Sequence, residues 1–150
     1  MKHFLTALLA LTLFISCDKE KDIDYATKNE QEIKDYIAKN NLTAQRSDSG
    51  LYYIITNPGT GANPTANSKV TVAYKGYFTN GTVFDQSSAE GISFGLNQVI
   101  QGWTEGISYF KTGGNGILLI PSQLGYGNNS TGRIPGGSVL IFEVKLLSTN

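Results

Sequence analysis

The sequence predicts an α+β domain in which an antiparallel sheet of five to six strands wraps around one short helix, preceded by a short helical arm. From residue 50 onward apolar residues recur mostly with period two, and only one segment has helical spacing. Charge is also unevenly distributed. Residues 18–46 hold thirteen of the charged side chains and no Gly or Pro, whereas residues 47–150 hold ten charges, all 17 Gly and all 4 Pro. We therefore divide the chain into residues 1–16, 17–46 and 47–150.

Residues 1–16 have the pattern of a secretory signal peptide. A basic start at Lys2 is followed by an apolar run from Phe4 to Ile15 that is interrupted only by Thr6 and Thr12. This run is too short to cross the ~30 Å hydrocarbon layer of a bilayer, as a transmembrane helix must. The alternative interpretation is an N-terminal helix of the core.

Cys17 follows this run at the end of Leu13-Phe14-Ile15-Ser16-Cys17, which resembles the lipobox of bacterial lipoproteins. In that motif the Cys is lipidated and becomes the first residue of the mature chain; Phe14 stands where the motif usually has Leu. Acyl chains contribute ~0.8 kcal/mol per buried methylene, enough for several of them to hold a protein at a membrane surface. We expect a lipoprotein anchored in the cell envelope. A free thiol or an interchain disulfide is the alternative for Cys17.

Residues 17–46 are predicted to form a charged tether that contains a short amphipathic helix within residues 24–42. Ile33, Tyr36 and Ile37 share near-helical spacing among charged residues. Two interpretations stay open at this point: the helix docks on the body, or it forms a dimerisation or partner-binding arm.

The body begins with strand-like segments and turn signals. Asn57-Pro58-Gly59 ends the first segment, and Asn80-Gly81 separates two later ones, a dipeptide typical of tight hairpins with positive φ at both central residues. The predicted strands cover residues 51–56, 70–78, 83–84, 92–95, 116–120 and 139–147.

One segment of the body has the spacing of a helix. Val99, Trp103, Ile107 and Phe110 recur at i, i+4, i+8 and i+11. A single apolar-striped helix among several strands predicts a sheet folded over that helix.

Composition excludes several classes of function. Charged residues make up 16% of the chain, against about 25% in average domains, and no basic patch is present in the body, so a nucleic-acid-binding surface is not expected. His3 and Cys17 are the only imidazole and thiol, which excludes a zinc site, a disulfide or a Ser–His nucleophile in the body. The glycine clusters at residues 113–116 and 132–137 lack the following Lys-Ser/Thr of a phosphate loop, so they predict turns.

Six segments of the body form a recognisable series. They are Val72-Ala73-Tyr74-Lys75-Gly76, Gly81-Thr82-Val83-Phe84-Asp85, residues 99–106, residues 120–127, Ile134-Pro135 and residues 140–144. In their order and approximate spacing these segments resemble the FK506-binding-protein (FKBP) family, and the resemblance covers residues 47–150. The resemblance implies an FKBP-like fold and peptidyl-prolyl cis-trans isomerase activity on proline-containing polypeptides. It also implies binding of FK506-like macrolide inhibitors, and no cofactor or metal.

The resemblance also implies roles for ten residues. Trp103 corresponds to the floor beneath the proline ring, the Ile100 N–H to a donor for a substrate carbonyl, and Tyr126 to a loop tyrosine that reaches the substrate backbone. Asp85 corresponds to a buried carboxylate held by the Tyr74 hydroxyl, although the residues after it lack the arginine that many members place there. The remaining residues form the apolar walls of the pocket: Phe84, Ile92, Val99, Ile134 and Phe142.

The chemistry of prolyl isomerisation suits a body without histidine. Rotation about an X–Pro bond has a barrier of ~20 kcal/mol, but no bond is made or broken, so an apolar pocket that prefers the twisted amide suffices. On pattern alone Val99, Trp103 and Phe142 would each be assigned to the core, and it is the joint match to the family that favours a pocket. Two other functions stay open: a non-catalytic peptide-binding or chaperone module, and an accessory lipoprotein of a surface or motility assembly.

Overall fold

The computed structural model describes residues 22–150. The predicted signal peptide of residues 1–16, the predicted lipidation site Cys17 and the start of the tether lie outside these residues. No helix within residues 22–150 is both long enough and apolar enough to cross a membrane.

Helix α1, Tyr25–Lys39, opens the described chain. The carboxylate of Asp24 caps its start by accepting a hydrogen bond from the Thr27 N–H at 3.2 Å, and Asn41 follows its end with φ of 51°. Ile33 is completely buried against the body. The helix therefore docks on the domain, as the first of the two interpretations of the arm expected.

Seven antiparallel strands form one sheet. They are β1 (Gln45–Arg46), β2 (Tyr52–Asn57), β3 (Lys69–Tyr77), β4 (Val83–Gln86), β5 (Ile92–Gly95), β6 (Asn115–Ile120) and β7 (Leu140–Thr149). Their order is β1-β2-β6-β7-β3, and the outer edge of β3 pairs with β5 along its first half and with β4 along its second half. The predicted fold class is confirmed. The strand count exceeds six because the tether contributes the two residues of β1.

The hairpin between β3 and β4 differs from the tight turn expected at Asn80-Gly81. Gly81 has φ of 87°, but Asn80 does not have positive φ. The Gly81 N–H donates to the Phe78 carbonyl at 2.8 Å, and the Phe78 N–H donates to the Thr82 carbonyl at 3.0 Å. This is a three-residue loop whose last residue is left-handed, the second common hairpin geometry.

Helix α2, Gln101–Ile107, is shorter than its apolar spacing suggested. Val99 precedes it in extended conformation and Phe110 follows it in a turn, so both pack in the core from outside the helix. The helix lies close to β6 because Gly102 and Gly106 face it. A Cβ at Gly102 would stand 2.6 Å from the Ile120 side chain, and one at Gly106 would stand 2.7 Å from Leu118.

The two faces of the sheet carry two separate clusters of buried side chains. Leu118 and Phe142 point to the α2 side, whereas Leu119 and Ile141, their neighbours in sequence, point to the α1 side. Both helices thus cover the sheet, one on each face. The pocket described next opens on the α2 side.

Candidate active site

An open cavity of about 520 Å³ lies between the sheet, α2 and the segment that joins β6 to β7. Its lining is mostly aromatic and aliphatic, with few polar side chains. The lining residues are Tyr74, Phe84, Asp85, Ile92, Gln98, Val99, Ile100, Trp103, Tyr126, Thr131, Arg133, Ile134 and Phe142. Within residues 22–150 no group of His, Cys, Asp or Glu side chains is placed to hold a metal ion.

Trp103 of α2 is the floor of the cavity and is 5% exposed. Its ring meets Tyr74 edge-on with centroids 5.0 Å apart and Phe142 edge-on at 5.1 Å, and it packs against Phe94 at 5.3 Å. The indole Nε1–H is enclosed and has no acceptor among the described residues. The indole therefore offers the cavity apolar surface and no directed hydrogen bond.

The aromatic wall formed by Phe84 and Phe142 depends on Gly76 of β3. Phe84 and Phe142 meet edge-on with centroids 5.5 Å apart, and Phe78 packs behind Phe84 at 4.9 Å. A Cβ at Gly76 would lie 2.7 Å from Phe142 and 2.8 Å from Phe84. Only glycine leaves both rings their places, so Gly76 sets the shape of this wall.

Tyr74 and Asp85 provide the polar side of the cavity. The Tyr74 hydroxyl donates to Asp85 Oδ2 at 2.6 Å, and the Tyr74 N–H donates to the Ser87 hydroxyl at 2.9 Å. Burial, followed by the hydrogen bond to Asp85, raises the pKa of Tyr74 well above its usual range. The tyrosine hence stays protonated and keeps its donor directed at the carboxylate.

Asp85 is exposed, which corrects the expectation of a buried carboxylate. It lies on β4, which has no strand on its outer side. Residues 86–91 contain no arginine that could cover or pair with it. Among residues 22–150 the one hydrogen-bond partner of its carboxylate is the Tyr74 hydroxyl, which confirms that the tyrosine holds it.

Ile100 lies where extended chain enters α2, with φ of −56° and ψ of 147°. Its carbonyl accepts the Thr104 N–H at 3.1 Å, the first α-helical bond, and also the Trp103 N–H at 2.9 Å. For its own N–H, the described part of the chain offers no acceptor. An unpaired donor is therefore present at the edge of an apolar cavity.

Two sides of the rim are formed by exposed side chains. Tyr126, in the segment between β6 and β7, is 43% exposed, and Ile92, at the start of β5, is 45% exposed. Ile134 is half-buried and is held by an antiparallel bridge to Thr131, with N–H to carbonyl distances of 2.9 and 3.0 Å.

The structure brings all ten residues singled out in the body to this one cavity, and it adds three. Gln98, Thr131 and Arg133 were not expected there, because they lie in a short 3₁₀ turn (Leu96–Gln98) and in an irregular loop, where no periodicity indicates the direction of a side chain. The contact of Phe94 with the Trp103 ring beneath the cavity was also not predicted, although Phe94 shares one face of β5 with Ile92 by alternation.

Comparison with known proteins gives the relationships of the chain. The model of the family described as "FKBP-type peptidyl-prolyl cis-trans isomerase" matches residues 61–147. The FKBP-type peptidyl-prolyl cis-trans isomerase FkpA of Aeromonas hydrophila is 41% identical over 127 residues, covering 82% of this chain and 47% of that protein. The protein of the same name from Escherichia coli K12 is 40% identical over 132 residues, covering 85% and 48%. The chain spans about half the length of these curated relatives.

Solved structures agree with this relationship. The crystal structure of FkpA from Escherichia coli has a TM-score of 0.75 and 39% identity, and the match covers 83% of this chain and 61% of that one. A peptidyl-prolyl cis-trans isomerase from Pseudomonas syringae pv. tomato has a TM-score of 0.71 and 30% identity, and the match covers 83% of this chain and 96% of that one. The chain belongs to the FKBP-type peptidyl-prolyl cis-trans isomerase family.

Proposed function

We propose that this chain is a peptidyl-prolyl cis-trans isomerase that accelerates rotation of X–Pro bonds in exported polypeptides. The observation that carries the proposal is an aromatic cavity, floored by Trp103, beside the hydrogen-bonded pair Tyr74 and Asp85. Trp103 would accept the proline ring, and the Ile100 N–H and the Tyr126 hydroxyl would hold the substrate backbone. The walls Phe84, Val99 and Phe142, with Ile92 and Ile134 at the rim, would exclude water.

The catalytic effect follows from the difference between planar and twisted amides. In the planar amide the nitrogen lone pair is delocalised into the carbonyl, and twisting returns it to nitrogen. An apolar cavity lacks the water that favours the more polar planar form, so it favours the twisted form in relative terms. The Asp85 carboxylate would interact with the carbonyl carbon as conjugation is lost. No proton transfer is needed, which fits the absence of histidine from the body.

The test is a protease-free measurement of cis-trans exchange in a proline peptide by NMR. Wild-type protein should raise the exchange rate above its spontaneous value, and both Asp85→Ala and Trp103→Ala should lower that effect by about tenfold or more. Asp48→Ala, the same change at an exposed turn residue outside the cavity, is the matched control and should behave as wild type. Folded wild-type protein that binds the peptide without accelerating exchange would point to the alternative, a non-catalytic peptide-binding or chaperone module.

We also propose that FK506-like macrolides occupy the same cavity. Two observations support this proposal: the aromatic lining of the cavity and the match to the family model. Titration of FK506 should change Trp103 fluorescence and displace a bound proline peptide. Displacement without a change in Trp103 emission would place the ligand elsewhere.

A lipid anchor at Cys17 is our proposal for localisation in the cell envelope. Its support is the basic start, the apolar run from Phe4 to Ile15 and the small residue Ser16 before the cysteine. Cys17→Ser protein should leave the membrane fraction, whereas wild type should stay in it. Equal membrane fractionation of both proteins would overturn the anchor.

An accessory role in a surface or motility assembly is compatible with the same anchor and would appear as a phenotype that the Asp85→Ala protein rescues.

A further inference from the structure

The segment of residues 121–139, between β6 and β7, carries four residues of the cavity lining. These are Tyr126, Thr131, Arg133 and Ile134. Apart from one 3₁₀ turn at Ser122–Leu124, the segment has no helix or strand, so sheet pairing does not fix its position. Contacts other than sheet pairing therefore hold these side chains over the cavity, and core packing of Leu124 and Ile134 is one of them.

Asn29 of α1 makes a second contact of this kind, through hydrogen bonds. It is completely buried, which is rare for an amide side chain. Its Oδ1 accepts the Ser122 N–H at 2.8 Å, and its Nδ2 donates to the Gly137 carbonyl at 2.9 Å. One side chain thus joins both ends of the segment to a helix that lies about a hundred residues earlier in the chain.

The two hydrogen bonds belong to a closed ring. The Gly127 N–H donates to the Ser122 carbonyl at 2.8 Å, and the Gly137 N–H donates to the Gly127 carbonyl at 2.9 Å. Asn29 closes the ring by linking Ser122 to Gly137. Gly127 directly follows Tyr126, so the ring fixes the backbone next to the tyrosine that faces the cavity.

The chemistry of the position requires an amide. A carboxylate at residue 29 would accept the Ser122 N–H but would have no donor for the Gly137 carbonyl, and an aliphatic side chain would satisfy neither. The ring of Tyr25, one turn earlier on α1, lies against Gly137, whose φ is 74° and where a Cβ would collide with that ring. Two residues of α1 therefore fit this end of the segment.

We propose that Asn29 is a positioning residue for the isomerase cavity and that α1 acts as a clasp on the segment of residues 121–139. The expected effect of Asn29 on activity rests on the proposed isomerase function. Through the ring, Asn29 sets the location of Tyr126 and Ile134 and hence the affinity for the substrate backbone. The arm before the body is in this respect part of the binding site.

The experiment compares Asn29→Ala and the isosteric Asn29→Asp with Ile33→Val in the full chain. Ile33→Val weakens the packing of the same helix on the body but leaves the two hydrogen bonds in place. Asn29→Ala should raise KM for a proline peptide by about fivefold, as the loss of one or two hydrogen bonds implies, with kcat changed by less than about twofold. Asn29→Asp should also raise KM with little change in kcat, because it loses only the hydrogen bond to the Gly137 carbonyl. Ile33→Val should leave KM unchanged.

Amide hydrogen exchange measured by NMR tests the clasp without reference to activity. In Asn29→Ala and Asn29→Asp the Gly137 and Gly127 amides should exchange faster, whereas amides of β6 and β7 should keep wild-type protection. Wild-type exchange at both glycines in a folded Asn29 variant would overturn the clasp, as would an equal rise of KM in Ile33→Val. An inactive wild type combined with faster exchange in the variants would refute the proposed function and support the clasp.

Discussion

The Tyr74 hydroxyl donates a hydrogen bond of 2.6 Å to the Asp85 carboxylate, across the junction of β3 and β4. Tyr74 is also in edge contact with the Trp103 ring that floors the cavity. One tyrosine thus connects the charged side of the cavity with its apolar floor. Among residues 22–150 no other side chain hydrogen-bonds the Asp85 carboxylate, so Tyr74 is the side chain that orients it.

Tyr74→Phe should lower kcat/KM for a proline peptide by about threefold to tenfold, because the ring stays and only the hydrogen bond to Asp85 is lost. Stability should change little. Exchange measured by NMR and unfolding in urea, on the same samples, check the two parts. An unchanged kcat/KM would mean that the orientation of Asp85 does not contribute to catalysis.

Glu30 should make the docking of α1 depend on pH. Burial opposes its ionisation, but hydrogen bonds from Tyr52, Lys34 and Arg46 outweigh burial and lower the pKa of Glu30 below 4.5. A lowered pKa in the folded state contributes stability that is present above 4.5 and is lost as pH falls through the folded value. Wild type should thus be more stable than Glu30→Gln at pH 7, and the difference should shrink towards pH 3. Urea unfolding at both pH values measures it; a difference that grows as pH falls would contradict the assignment.

Gly106→Ala should destabilise the domain by about 1–3 kcal/mol, although alanine is the better helix former. The new Cβ would stand 2.7 Å from Leu118 of β6 and would push α2 off the sheet. Leu118→Ala in the same chain creates room, so the double variant should be less unstable than the sum of the two single changes. Trp103, the one tryptophan of the chain, reports unfolding by fluorescence. Strict additivity would show that the contact does not limit the approach of α2.

Arg133 should favour acidic residues near the substrate proline. It lies on the rim, and it is the one cationic side chain in the cavity lining, which otherwise carries only the charge of Asp85. Arg133→Glu should lower kcat/KM for a Glu–Pro peptide relative to a Lys–Pro peptide by about threefold, as an exposed ion pair implies, and salt should reduce the effect. An unchanged ratio between the two peptides would exclude this role.

Much of the fold was predictable because it depends on local patterns. The alternation in β5 predicted its bounds, Ile92–Gly95, and the apolar stripe with Ile33, Tyr36 and Ile37 predicted α1. Two local features were not. Asn80-Gly81 closes a three-residue loop because the register of β3 against β4 shifts next to it, and α2 ends before Phe110. Strand register and helix length depend on the packing of distant segments, which a pattern does not contain.

The role of Asn29 is a further feature that the sequence indicates only in part. It shares the apolar face of α1 with Ile33, one turn later, and a polar residue on such a face is a signal that it has a buried partner. The sequence does not say which partner. That information appears only when α1 docks beside Ser122 and Gly137, at distances of 2.8 and 2.9 Å from the amide.

By itself the sequence determined the α+β class, the FKBP family and the aromatic residues of the cavity, because these depend on residue type, period and motif order. The tertiary structure decided which polar groups meet. It left Asp85 exposed with Tyr74 as its partner, brought Arg133 to the rim, and joined the arm to the cavity through Asn29. The physical reason is that a hydrogen bond requires two groups within about 3 Å at a defined angle. For residues far apart in the chain, only the folded packing of helices and sheet sets that distance.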